Sequence, residues 1–352
     1  MTALRHRPRL TSAIASTPAL IAVGVAVTFA VMSVFVIAAG ADPIDAFYRF
    51  LVQPLTSTSS FLEVLVSATP ILFTGAAVAI AFRAGYYNIG AEGQLLAGAI
   101  AAAGLGMVVG DLPSFVAWPI MLVGGALAGA TWALVPAVLR VRLGIDEVVT
   151  TLLMNPVALL LVNALLNGPW RDPVTGFPES ALIGVGAQFP PLIERSRLHA
   201  GFLIALAIVA VAWFVLTRTP AGLRLRAVGS APAAASFAGL NVSRTLLRAA
   251  LFSGAICGIA GVSEVAGIQD RLTGGLSPGF GYTGIVVATL GGLTMPGVTA
   301  AALLLGDLRV GASSAGRALG IPSQLGEIVQ ATLLLVAIAI LAVMARRRAM
   351  RP

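Results

Sequence analysis

The chain has 352 residues, of which 58% are hydrophobic and only 10% charged, against about 25% charged in an ordinary soluble domain. That excludes a soluble globular protein and indicates an integral membrane protein. The apolar runs are continuous rather than alternating, which excludes a transmembrane barrel and leaves an all-α polytopic fold. All 22 basic residues are arginine and the net charge is +8. In such a chain this reads as arginine-rich cytoplasmic loops, not as nucleic-acid binding.

"RHRPR" (Arg5 to Arg9) precedes an apolar run that ends at "AGA" near Ala39. The pattern imitates a signal peptide. Its apolar run exceeds the roughly 7–15 residues of a signal core, so it is read as a retained first span. Hydropathy and length place spans at about 17–40, 61–82, 90–109, 115–139, 147–166, 200–217, 245–268, 283–293, 296–313 and 325–345. Arg140 and Arg142 mark one cytoplasmic loop, and Arg218, Arg224, Arg226, Arg244 and Arg248 a second. Arg5, Arg7 and Arg9, with Arg346, Arg347, Arg348 and Arg351, put both termini inside. The loop from Asn167 to Ala200 balances Arg171, Arg195 and Arg197 with Asp172, Glu179 and Glu194, and is placed outside.

Between spans two and three lies "AFRAGYYNIGAEGQLL" (Ala81 to Leu96), with Arg83, Asn88, Glu92, Gln94 and three glycines at membrane depth. A helix is expected to end at Arg83 and another to start near Ile89. Glu92 either borders a substrate path or braces the break, since an acceptor near a helix N-terminus satisfies free amides. Asn88 and Gln94 offer donors and acceptors to a solute or to neighbouring helices. "GIDEVVTTLLMN" (Gly144 to Asn155) opens the fifth span. Asp146 and Glu147 complement its dipole, while Thr150, Thr151 and Asn155 face either a pore or a neighbouring helix.

The stretch Thr217 to Gly254 is different in kind. "APAAASFAGL" begins with Pro232, runs through alanines and stops at Gly239, the pattern of a short helix with a start and a stop. It carries Ala234, Phe237 and Leu240 and is flanked by arginines, as expected of a surface that docks on a cytosolic partner. Cys257 is a small core residue. One cysteine and two distant histidines, His6 and His199, supply neither a disulfide within the chain nor a metal site.

From the second cytoplasmic loop to an internal C-terminus the number of crossings must be even, and the long apolar runs supply only three. "GIVVATLGGL" (Gly284 to Leu293) is the fourth, although ten residues cover only ~15 Å, half a bilayer. A short or broken helix is expected there, preceded by the Gly-rich turn "RLTGGLSPGFGYTG" (Arg271 to Gly284). Phe280 and Tyr282 beside it are candidates to stack on a flat ligand. By loop counting the first break is cytoplasmic and the second external. Two such breaks suggest inverted halves, about 61–166 and 245–345, in a single transmembrane domain over 1–352. Glu264, Asp307 and Glu327 read as interfacial or helix-bracing. No phosphate loop, HExxH pair or Ser/His/Asp set is present, so the chain is not read as an enzyme and no cofactor is expected.

Four segments, "FRAGYYNIGAEGQLLAGAIAA", "DEVVTTLLMN", "GLRLRAVGSAPAAASFAGLNV" and "LSPGFGYTGIVVATLGGLTMPG", together resemble the membrane permease subunit of bacterial ATP-binding-cassette importers. The branch is that of the ribose, simple-sugar, nucleoside and branched-chain amino acid permeases, and the NIG-x-EGQ form is most similar to the nucleoside members. The resemblance implies a ten-span fold in the bacterial plasma membrane and two permease subunits, often paralogues. It also implies two cytosolic ATP-binding subunits and an extracytoplasmic substrate-binding lipoprotein. It makes Arg224, Arg226, Gly229, Pro232, Ala234, Phe237 and Gly239 the ATPase-coupling loop. The substrate-path candidates remain those read from the residues themselves, Asn88, Glu92, Gln94, Thr150, Asn155, Phe280 and Tyr282. The resemblance transfers no substrate contact onto them, and the solute it implies is a nucleoside, or alternatively a simple sugar or branched-chain amino acid. An ion-coupled secondary transporter is the competing class.

Overall fold

The computed structural model describes residues 17–320 continuously and, beyond them, 322, 324, 325, 327, 328, 331, 332, 335, 336, 339, 340 and 343. The arginines of both termini and most of the expected span 325–345 lie outside the described residues. The described chain is helical, and it forms two compact units.

The larger unit, Leu55–Val310, holds α4 (Thr58–Arg83), α5 (Ala91–Val109), α6 (Ser114–Leu143), α7 (Glu147–Leu166), α8 (Ala200–Arg218), α9 (Pro220–Ser230), α10 (Pro232–Phe237), α11 (Val242–Glu264), α12 (Phe280–Leu290) and the first turns of α13 (Met295–Leu319). The smaller unit holds α1 (Thr17–Ala38), α2 (Pro43–Leu51) and the chain from Gly311. A four-residue turn, α3 (Gln53–Thr56), joins the two stretches.

Among the described residues six helices are long and apolar enough to cross a membrane: α4 to α8, and α11 with its π-helical continuation Val265–Gln269; α9 and α10 are too short. A seventh is reached only if Ala26–Ala38 and α2, bent by 118°, count as one span. Among the described residues the ten expected crossings are therefore not all found, and the tenth, 325–345, lies mostly outside them. The first span bends sharply after Ala38, where Gly40 takes a positive φ of 79° and Asp42 caps α2 by accepting from the Ile44 amide at 3.1 Å. The expected half-span is present as α12, whose 11 residues cover only ~16 Å.

Local signals set the helix ends. α6 stops at Gly144, which is left-handed at φ 68° and donates to the Arg140 carbonyl. Asp146 then caps α7, accepting from the Val148 amide at 2.8 Å. Asn241 caps α11 in the same way, accepting from the Arg244 amide at 2.8 Å.

The core of the larger unit is α5, α6 and α11 packed together. Bilayer lipid is as apolar as leucine, so close helix contact depends on small residues rather than on hydrophobic burial. "GALAG" (Gly125 to Gly129) and "GAICG" (Gly254 to Gly258) each place two glycines four residues apart. A Cβ at Gly258 would collide with the Gly125 carbonyl, and one at Gly129 with the Gly254 carbonyl. Backbone thus lies on backbone, and Cys257 is buried beside it.

In the loop before α8, charges pair with residues outside the loop. Arg197 binds Glu63 of α4, and Glu179 binds Arg271 at 3.1 Å. Two of the charges counted in this loop are thus tied to neighbouring segments.

Candidate functional site

The interrupted stretch begins where α4 ends. Gly85 takes φ 77°, a left-handed conformation that glycine adopts without a Cβ clash. The turn packs on Gly229 of α9, where a Cβ would collide with the Arg83 carbonyl. The base of the arginine-rich loop therefore lies directly on the break.

From Tyr86 to Gly90 the chain is not helical. Non-helical backbone at membrane depth must find partners inside the protein. One face of α7 supplies them. Glu147, Thr151 and Asn155 follow at intervals of four residues and form one stripe. Glu147 Oε1 accepts from the Tyr87 amide at 3.3 Å and Thr151 Oγ1 from the Ile89 amide at 3.1 Å. Asn155 Oδ1 accepts from the Gly93 amide at 2.9 Å, while its Nδ2 donates to the Ile89 carbonyl at 2.9 Å and the Tyr282 hydroxyl at 3.1 Å. Arg140 Nε holds Glu147 Oε2 at 3.0 Å.

The polar side chains of the stretch itself are also paired. Asn88 Nδ2 donates to Gln94 Oε1 at 2.8 Å and to Ser253 Oγ at 2.9 Å. Its Oδ1 accepts from Gln94 Nε2 and from the Gly90 amide, each at 3.0 Å. Glu92 Oε2 accepts from the Gly281 amide at 2.7 Å. Its carboxylate also takes hydrogen bonds from the Ser277 side chain and the Gly279 backbone.

These contacts have one logic. The N-cap residues of α5 and α12 are glycines, Gly90 and Gly279, with no side chain to cap with. The Ser277 hydroxyl accepts from the Phe280 amide at 3.2 Å, and the next amides are capped from neighbouring helices: Gly93 of α5 by Asn155 on α7, Gly281 of α12 by Glu92 on α5. A carboxylate at the N-terminus of α12 also faces the positive end of its dipole. The helices that follow the two breaks thus start in contact. A Cβ on Gly281 would collide with the backbone of Ala91 and Glu92. Thr74 of α4 completes the junction by donating to the Phe280 carbonyl at 3.0 Å.

Of the candidate path residues, Asn88, Glu92, Gln94 and Asn155 are buried and bonded within this junction. Thr150 sits apart from the stripe and bonds only to its own helix, at the Asp146 and Glu147 carbonyls. Phe280 is buried, with the Arg309 guanidinium 4.8 Å from its ring centre. Tyr282 remains 42% exposed while its hydroxyl is held by Asn155. Tyr87, on the same stretch, is also exposed. Sequence reasoning read Glu147 only as a dipole partner and did not single out Ser253, Thr74 or Arg309. The four-residue spacing of Glu147, Thr151 and Asn155 was the available signal. Ser253 and Thr74 carry no local signal of their own.

In the second arginine-rich loop, Thr219 caps α9 and Pro220 opens it, while Pro232 opens α10. Gly239 closes this turn at φ 81°. Arg224, Arg226, Pro232 and Ala234 are exposed, and the Phe237 ring is 97% exposed at the tip. Ala235 alone turns inward.

A family model described as branched-chain amino acid transport system / permease component matches residues 60–338. The chain is 38% identical to the glucose ABC transporter permease protein TsgB13 of Haloferax volcanii, over 91% of this chain and 88% of that one. It is 37% identical to the guanosine ABC transporter permease protein NupP of Bacillus subtilis, over 78% of this chain and 79% of that one. It is 29% identical to the nucleoside ABC transporter permease protein NupB of Lactococcus lactis, over 87% and 86%. No solved structure matches significantly.

Proposed function

The chain belongs to the branched-chain amino acid transport system / permease component family, and on that premise we propose that it forms one half of an importer's translocation path for nucleosides. It is a multi-pass membrane protein and a transport component of ABC type. The energy comes from separate cytosolic ATP-binding subunits, the second half from a permease paralogue, and the solute from an extracytoplasmic binding lipoprotein. The setting is the bacterial plasma membrane, with the arginine-rich loops inside.

The observation that carries the transport reading is the seat of Gly229 against Arg83 and Gly85. A movement of α9 and α10, driven by an ATPase docked on Phe237 and its neighbours, meets the break between α4 and α5 without an intermediary. From there the capping contacts lead to α7 and α12. The path is the surface bordered by Tyr282 and Tyr87, and Asn88, Glu92, Gln94 and Asn155 hold its wall. The broken pairs α4–α5 and α11–α12 belong to the inverted halves, about 61–166 and 245–345, which rock against each other and expose the path to one side and then the other. ATP binding shifts this equilibrium only as far as the ATPase prefers one loop position over the other.

Tyr282 supports a nucleoside. Its ring is half exposed and its hydroxyl is anchored, which offers a fixed π-face to a base. The second reading, a simple sugar, is supported by the similarity to a glucose permease. Uptake of radiolabelled guanosine, uridine and glucose by cells carrying the whole gene cluster separates them. Saturable nucleoside uptake that falls with Tyr282→Ala supports the first. Glucose uptake indifferent to that substitution supports the second.

A further inference from the structure

A groove of about 810 Å³ runs between α4, α8, α9 and α11, away from the junction of broken helices. Its walls are apolar. Ile204, Val211 and Val215 line it from α8, and Phe252 and Ile259 from α11. At one end it meets Arg224 of α9 and Arg248 of α11. Both arginines are exposed, and neither belongs to an ion pair among the described residues.

We propose that this groove binds one anionic phospholipid of the cytoplasmic leaflet, with an acyl chain between α8 and α11 and the headgroup phosphate between Arg224 and Arg248. The volume lies within the roughly 300–1,000 Å³ range of sites that enclose a small ligand. The geometry matches an amphiphile: hydrocarbon walls along the membrane, and two guanidiniums where the headgroup layer begins. Guanidinium binds phosphate oxygens in a planar, two-pronged geometry. Basic pockets between spans on the cytoplasmic side suit anionic headgroups.

Charge selects this occupant over a second permease. A permease obeying the same arginine bias brings positive charge to the same leaflet, and two unpaired guanidiniums would then face more of their own sign. An anionic lipid brings the opposite sign and an apolar tail together. The proposal rests on the side of the membrane alone and does not depend on which solute is carried.

The test is native mass spectrometry of the purified importer complex, delipidated and offered phosphatidylglycerol or phosphatidylcholine. Wild type is expected to retain one phosphatidylglycerol per copy of this chain in preference to phosphatidylcholine. The doubly substituted Arg224→Gln, Arg248→Gln protein should bind it about thirtyfold more weakly, at about one kcal/mol for each basic residue near a headgroup. Ala207→Trp, which fills the groove from α8 and leaves both arginines in place, should also release the lipid. Equal retention of the two lipids, or unchanged retention by either variant, overturns the proposal. So does cross-linking of a Val211→Cys variant to the other permease subunit, which would show the groove covered by protein.

Discussion

Asn155→Ala removes one side chain and three cross-helix hydrogen bonds: to the Gly93 amide at 2.9 Å, the Ile89 carbonyl at 2.9 Å and the Tyr282 hydroxyl at 3.1 Å. Side-chain hydrogen bonds between membrane helices average about 0.6 kcal/mol, which sets a floor near 2 kcal/mol for the three. Two of the partners are backbone groups of the junction, and each costs about 1–3 kcal/mol when left unpaired in the interior. The expected loss is therefore about 2–5 kcal/mol. Thr150→Ala is the control on the same helix. Its hydroxyl bonds only to carbonyls one turn back, so its removal should cost less than about 0.5 kcal/mol. Unfolding of the purified complex by denaturing detergent, followed by helix content, gives both values. If Asn155→Ala unfolds at the same midpoint as Thr150→Ala, the bracing role assigned to the α7 stripe is wrong.

Three further outcomes follow from named contacts. Gly281→Ala puts a methyl group into the backbone of Ala91 and Glu92. Overpacking of a tight contact costs about 1–3 kcal/mol, and more where backbone must move, so the variant should give little folded complex in a size-exclusion profile; a wild-type yield and midpoint would contradict the contact. At the outer end of α8, His199 Nδ1 accepts from the Gly201 amide at 3.1 Å, and burial pushes the imidazole down to about 4 from the ordinary 6.5. An unfolded chain takes up this proton first as pH falls, so the contribution of His199 is complete above about pH 6.5 and is lost progressively toward pH 4, by up to about 3 kcal/mol. His199→Asn keeps a capping acceptor and should flatten stability against pH in that window, and an unchanged slope would contradict this. Finally, Phe237→Asp and Ala234→Glu alter exposed side chains of α10, so both should leave the unfolding midpoint in place and abolish co-purification of the ATPase. Retained ATPase would refute the coupling assignment.

Features set by neighbours in sequence were legible in advance. The break after Arg83 was visible because arginine, amides and glycines cluster where an apolar run should continue. α12 was visible because ten apolar residues between Gly/Pro turns are too few to cross. α10 was visible from Pro232 and Gly239. The sharp bend between α1 and α2 was missed, although Gly40, Asp42 and Pro43 are turn and cap residues in the right order. What the site does was less legible. Thr150 and Thr151 are alike in composition, yet one helical step of about 100° separates the residue that braces Ile89 from the one that does not. Glu92 could be placed near a helix start, but its cap is on a helix 189 residues away in sequence. No local pattern records that distance. Of the residues that suggest a substrate path, Asn88, Glu92 and Asn155 also bond backbone groups freed at the breaks.

The most direct test of the account is uptake into proteoliposomes holding the complete complex, with ATP inside or outside and with proton or sodium gradients imposed separately. The account predicts saturable nucleoside uptake when ATP faces the ATPase subunits and none from either gradient alone. It also predicts that Phe237→Asp abolishes the ATP-driven flux. Uptake driven by an ion gradient without ATP, or ATP-driven flux that survives loss of Phe237, would contradict it.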